Sequence, residues 1–407
     1  MFLDGPASLR ACSSILKGLL DFLPQFRARP AANTIQSWLL RVGLYEIQRP
    51  KEQADDWILI IDHTIQLGTL KCLLIVAVRQ SAWFKLETPL TLKDLVFVTL
   101  QVVTKSNGDV VVQQLREAAK KLGKIRAILS DQGSDIVNGA NQYQAESKET
   151  LFFKDIAHAT AIILKDELLA DSRWDTFVKE CGQTQPKVKQ TELGYLAPPT
   201  FKVKGRYMNL GPMIAWASRM LSLLDTPIAQ RSTELCLSRL EEKFGWLVKY
   251  RQDIAHWHDL HAVKDCVLGY CRLHGYHRQA KAELELLLAS ISTATACTAM
   301  KERLLDVVQQ QSSQLNEDES VPASSEIIES LIGKGKRIQG QHSRGGFTKM
   351  ILGMAASVVP IGEDRILQSL NTIGDSDLSK WCKTQFRKTL ACMRRQALPL
   401  TCGTNPG

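Results

Sequence analysis

No run in this sequence approaches the roughly 18 consecutive apolar residues that a membrane-spanning helix needs. The two strongest runs, 57–61 and 72–78, have the length of strands. The first 23 residues interrupt their apolar positions with Arg10, Lys17 and Asp21, so they do not read as a secretory leader. The 10 cysteines lie scattered through periodic segments and form no dense framework, which points to reduced thiols and a cytoplasmic setting. No repeat with a period of roughly 20–50 residues recurs, which argues against solenoids and propellers. A phosphate-binding loop is missing too: GKGKR at 333–337 lacks the G-x-x-x-x-G-K-[ST] spacing and follows no strand.

What is present is ordinary for a globular protein: 407 residues, 23% charged and 44% hydrophobic. That length can bury a sizeable core in one large domain with appendages, or in two to three domains. Lys and Arg number 51 against 42 Asp and Glu, a net charge of +9 that suits a polyanionic partner.

Apolar periodicity predicts a helix over 8–23, ended by Pro24, and a second from Asn33 or Thr34 through Tyr45. The pair reads either as a helix-turn-helix, with Gln36, Ser37 and Arg41 facing DNA, or as a plain helical hairpin. From residue 57 the pattern turns to strands: WILIID (57–62), KCLLIVAV (71–78) and DLVFVTLQVV (94–103). A helix over about 108–122 is stopped by Gly123, and KIRAILSD (124–131) is a fourth strand. A short helix at 135–145 and a strand at 149–155 follow. Three strands, a helix, then a parallel strand is the order of an RNase H-like fold; a doubly wound sheet alternates strand and helix from the start. The expected class is α/β: an RNase H-like mixed sheet core interrupted by an all-α insertion, with helical N- and C-terminal flanks. The expected boundaries are 1–50 for a helical, DNA-binding segment, 55–159 for the first part of the core, and 160–310 for the insertion. A polar linker at 311–323 and a last core helix with C-terminal helices at 324–407 complete the division.

Two carboxylates end apolar strands, Asp62 and Asp131. A carboxylate at the edge of a core needs compensation, and a hard divalent cation held by oxygen ligands supplies it. Either residue taken singly also suits a turn cap. A third acid has to come from a helix crossing those strand ends. Glu234, Glu241 and Glu242 are candidates, and Glu329 is preferred because it follows a Ser cap and precedes a basic run. Cys266, Cys271, His274 and His277 match no common zinc spacing and read as buried thiols with surface histidines.

The arrangement Ser325-x-x-Ile328-Glu329-Ser330, followed by Lys334 and Lys336, resembles the third-acid motif of Mutator-type and related bacterial insertion-sequence transposases. Asp155-Ile-Ala-His158 is similar to the (C/D)-x-x-H signature of Mutator and hAT transposases. The resemblance spans about 57–350. It implies a DDE-type transposase in which Asp62, Asp131 and Glu329 hold two Mg²⁺ ions, with Mn²⁺ as an alternative. It further implies cleavage and strand transfer of DNA, a homo-oligomer assembled on element ends and target DNA, no membrane, and a place in the bacterial cytoplasm at the nucleoid. Lys334, Lys336 and Arg337, with Gln36 and Arg41, are then the expected DNA contacts, and Asp155 and His158 supporting residues. Two alternatives stay open: an inactive or domesticated transposase-derived DNA-binding protein, and an RNase H-like nuclease without strand transfer.

Overall fold

In the computed structural model, residues 3, 5, 7–20, 29–67, 70–200, 210–226, 237–291, 297–340, 347–359, 362–386 and 396 are described. Glu234 and residues 21–23 of the first predicted helix lie outside them. The chain forms two units, one from 1–153 with 324–407, the other from 154–323. Among the described residues no helix is long and apolar enough to cross a membrane.

The first unit opens with helices α1 (Leu9–Leu20) and α2 (Ala32–Gln48), the latter ended by Arg49-Pro50. Strands β1 (Ala54–Leu67) and β2 (Leu70–Arg79) follow, then a single turn α3 (Gln80–Trp83) and strand β3 (Val96–Val103). Next come α4 (Gly108–Leu122), β4 (Gly123–Ser130), α5 (Ser134–Glu146) and β5 (Leu151–Lys154). The order in the sheet is β3-β2-β1-β4-β5, with β1 antiparallel to β2, β2 antiparallel to β3, and β1 parallel to β4. This is the RNase H-like mixed sheet that the strand pattern predicts. Asn107 caps α4 by accepting from the Val110 N–H at 3.0 Å. Gly123 ends it at φ 96°, and a side chain there would come within 2.4 Å of the Ala54 carbonyl oxygen.

The two faces of β1 are both dry: Trp57 to Ile61 are at most 1% exposed. Trp57, Leu59 and Ile61 join Leu73, Ile75, Ile125 and Ile128 in a core closed by α4 and α5. Ile58 and Ile60 face the other way, and α13 (below) packs on β1.

The second unit begins with α6 (Ile156–Ala170), α7 (Ser172–Lys189), α8 (Gly211–Asp225) and α9 (Leu237–Phe244). Helices α10 (Arg251–His274), α11 (Ala280–Ala289) and α12 (Thr298–Ser312) continue it. Its interior stacks Trp174, Phe177, Tyr250 and Trp257 at ring separations of 4.8–6.3 Å. The acidic stretch expected as a plain linker does more: β7 (Ser320–Val321) pairs antiparallel with β6 (Tyr276–His277), and Pro322 and Ala323 are buried. Its charges hide the short apolar run V-P-A that anchors it.

Helices α13 (Glu326–Gly340), α14 (Leu352–Ala356), α15 (Glu363–Thr372) and α16 (Asp375–Gln385) return to the first unit. The basic stretch GKGKR is the second half of α13. Ile328, Leu331, Ile332, Gly335 and Ile338 make one buried stripe, and burying it outweighs the helix penalty of about 1 kcal/mol per glycine. Gly335 admits α14: a side chain would lie 2.4 Å from the Met354 sulfur. Gly43 of α2 does the same from the other side, where a Cβ would sit 2.2 Å from the Leu352 carbonyl oxygen.

Gly43→Ala is accordingly expected to force α2 from α14 and destabilise the first unit by about 1–3 kcal/mol, read in urea melts. An unchanged midpoint would refute the close approach. A second expectation concerns Glu46, whose carboxylate is 4% exposed and receives Arg49 at 2.6 Å, Lys51 at 3.2 Å and Arg365 at 3.2 Å. Burial raises the Glu46 pKa, but Arg49 and Lys51 outweigh it and hold it below the usual value. Burial also lowers the Lys51 ammonium to about 8, against the upward pull of Glu46. Between about 8 and 10.5 the unfolded chain binds a proton at Lys51 that the folded chain does not, so this group makes stability rise with pH across that window. Glu46→Gln leaves a buried ammonium without its counter-charge, at a cost of about 3–5 kcal/mol at pH 7. The loss should shrink at pH 9.5, where Lys51 is neutral in both proteins. Equal losses at the two pH values would sink the assignment.

Candidate active site

The first unit places Asp62 and Asp131 at matching strand ends by register. The last paired residues of β1 and β4 are Ile61 and Ser130, and one step beyond them stand Asp62 and Asp131. Asp62 lies opposite Leu74 of β2 while His63 lies opposite Leu73, a member of the α4/α5 core. Alternation along the strand therefore sends His63 to the α4/α5 face and Asp62 to the opposite face, the one on which α13 packs.

Both aspartates are half-buried. Asp62 Oδ1 accepts the His63 N–H at 2.6 Å, and Asp131 Oδ1 accepts the Gly133 N–H at 3.0 Å. Hard oxygen donors on two rigid neighbouring strands fit Mg²⁺ or Mn²⁺ in kind.

Glu329 lies in the first turn of α13, beside the buried stripe and exposed, and Glu326 in the same turn is half-buried. Ser324 starts that helix as expected, its Oγ accepting the Glu326 N–H at 3.2 Å. Among the described residues no three His, Cys, Asp or Glu side chains are grouped as a metal ion would require. Of the rival acids, Glu241 and Glu242 belong to α9 of the second unit, where Glu242 pairs with Arg239 and with Lys243 at 2.8 Å.

The residues expected to meet DNA divide into two sets. Gln36 and Arg41 are engaged inside the first unit, where an outward orientation was expected. Gln36 Nε2 donates to the Met350 sulfur at 3.0 Å, and Arg41 donates to the Ile373 carbonyl at 2.5 Å and to that of Leu370. Arg41 thus satisfies carbonyls at the C-terminal end of α15. Arg337 donates to the carbonyls of Gly5 at 2.5 Å and Leu3 at 3.1 Å. Lys336 is exposed and Lys334 half-exposed.

Asp155 and His158 act through the backbone. Asp155 is buried and caps α6, accepting the N–H groups of Ala157 at 3.0 Å and His158 at 3.3 Å. Cys271 is buried, which raises its thiol to about 12, and His277 Nε2 lies 2.7 Å from the Tyr270 hydroxyl. Neither is arranged as a zinc ligand.

One group of polar residues escaped the sequence reading. His63, Lys71, Ser106 and Asp135 meet at the end of the sheet on the α4/α5 face. Burial lowers the His63 pKa; Lys71 adds to this, while Asp135 and Asp131 oppose it. Burial raises the Asp135 pKa, but Ser106, His63 and Lys71 outweigh it and hold it below the usual range. The adjacency of His63 to Asp62 hinted at this group, as did Asp135, which from sequence suits a supporting or a capping role.

No family model matches the chain, and no curated protein matches its sequence. Among solved structures, the chain is similar to one of the Drosophila P element transposase strand transfer complex. The TM-score is 0.38 at 10% identity, over 88% of this chain and 93% of that one.

Proposed function

We propose that this chain is a DNA transposase that cuts DNA strands and transfers them to a target in a divalent-metal-dependent reaction. Asp62, Asp131 and Glu329 are its acidic ligands in this reading. The observation that carries it is the placement of Asp62 and Asp131, one step past the last residue pair of two parallel central strands in an RNase H-like sheet. With Mg²⁺ or Mn²⁺ bound, two ions would neutralise the phosphate and activate water for cleavage or a 3′-hydroxyl for transfer. The chain's own part is to fix oxygen donors at one open end of a dry sheet. Glu329 adds a third donor from α13, which packs on the strand carrying Asp62. Lys334 and Lys336, on the same helix, face phosphates of the bound DNA. Element ends and target DNA are the partners, held by a homo-oligomer, since joining two ends needs two sites.

A second reading, a DNA-binding derivative without catalysis, is favoured by the absence of a three-acid group among the described residues.

Cleavage of end-containing DNA with Mg²⁺ separates the two. Asp62→Asn, Asp131→Asn and Glu329→Gln should each lower the rate on the order of 10³-fold or more, with the triple variant scarcely worse. DNA binding should persist in all of them. Full activity in any single variant removes that acid from the site, and an inert wild-type chain that still binds ends selects the second reading. Cleavage without joining identifies a nuclease.

A further expectation concerns salt. Lys334→Ala and Lys336→Ala should each flatten the salt dependence of DNA binding by about one unit of slope. Unchanged slopes would move the phosphate path away from α13.

A further inference from the structure

Behind the acid pair the four polar residues on the α4/α5 face form a connected group drawn from four places in the chain. His63 Nε2 lies 2.9 Å from Ser106 Oγ, in the turn ahead of α4, and 3.6 Å from Asp135 Oδ2, in the first turn of α5. Lys71 Nζ of β2 lies 4.0 Å from the same carboxylate oxygen. The side chains of His63 and Asp135 keep only 15% and 17% of their exposure.

This group adjoins both proposed ligands. The His63 N–H is the donor to Asp62 Oδ1, so the backbone that carries the imidazole also orients the Asp62 carboxylate. On the other strand, a side chain at Gly133 would lie 3.1 Å from Asp131 Oδ1 and 3.4 Å from Asp135 Oδ1, so the two carboxylates flank one glycine in one tight turn. The Ile136 N–H holds Asp135 Oδ1 at 3.1 Å.

The anchor stands where the sheet stops restraining the chain. The pairing of β1 with β4 ends at Ile61 and Ser130, and the pairing of β1 with β2 shifts register between Thr64 and Leu67. Asp62 therefore sits one residue past the β1–β4 ladder, on a strand end still paired with β2.

We propose that His63, Ser106 and Asp135 are positioning residues, which fix the strand end bearing Asp62 to the turn bearing Asp131 and so set the spacing of the two acids. This rests on the reading of Asp62 and Asp131 as the reactive pair. A displacement of about 1 Å at such a site costs roughly 10²-fold in rate, so a brace of this kind has a measurable effect.

The test uses the full chain with His63→Ala, His63→Gln, Ser106→Ala, Ser106→Thr and Asp135→Asn. In metal-free protein, hydrogen exchange of the amides at 61–64 and 131–135 should quicken about tenfold in the Ala and Asn variants. Exchange elsewhere and the melting midpoint should hold. In end cleavage the same variants should lose roughly 10²-fold in kcat with KM for DNA unchanged. Ser106→Thr, which keeps the hydroxyl, should restore both readouts. Unchanged exchange and kcat in His63→Ala and Asp135→Asn would overturn the proposal. So would a global fall in stability in these variants and in His63→Gln, with kcat lost in proportion. If Asp62→Asn leaves cleavage intact, the reading of the acid pair is what fails, and local exchange still decides whether the brace exists.

Discussion

The parallel pairing of β1 with β4 is the constraint on which the other features of the first unit depend. Two parallel strands end at the same edge of a sheet, so residues one step past their last pair emerge side by side. Here those residues are Asp62 and Asp131. The strands behind them are dry on both faces, Ile58 through Ile61 having no exposure, so the sheet is held rigid as far as its last pair, Ile61 and Ser130.

The helical flanks serve the same sheet. Gly43 makes room for the Leu352 backbone, Gly335 for the Met354 side chain and Gly353 for that of Ile338, so α2, α13 and α14 pack closely, and α13 lies on β1. A helix carrying Glu326 and Glu329 is placed on the face toward which Asp62 points. The second unit, 154–323, interrupts the first in sequence, and α13 follows it yet belongs to the same unit as β1 to β4.

The sheet was legible because each strand is a short β-branched run and each break carries turn chemistry, as with Asn107 and Gly123. Asp62 and Asp131 were legible because a charge ending an apolar run is conspicuous. The second half of α13 was not, since its glycines and lysines mask a stripe that only spacing from Ile328 to Ile338 reveals. The inward roles of Gln36 and Arg41 were hidden for another reason: their partners lie more than 300 residues away. His63, Ser106 and Asp135 belong to the same class, each unremarkable alone and assembled only by the fold.

The basic surplus of the chain has to be read with these contacts in mind. Arg41 and Arg337 end on backbone carbonyls, as do Lys121 on Val98 at 3.1 Å and Lys301 on Leu288 and Ile291 at 3.0 and 2.8 Å. Arg173, Arg239, Arg251 and Arg303 are spent on carboxylates. A cation satisfied by a carbonyl or a carboxylate must lose that partner before it can serve a phosphate, so its contribution to binding a polyanion is small. A net charge of +9 therefore overstates the field available at any one place. What matters for a polyanionic partner is where exposed and unspent charge lies beside the acids. Lys336 is exposed and Lys334 half-exposed on α13, and among the described residues neither gives a hydrogen bond to the fold, whereas Arg337 does. Of the basic residues on that helix, these two are therefore the ones whose charge is not already committed within the fold.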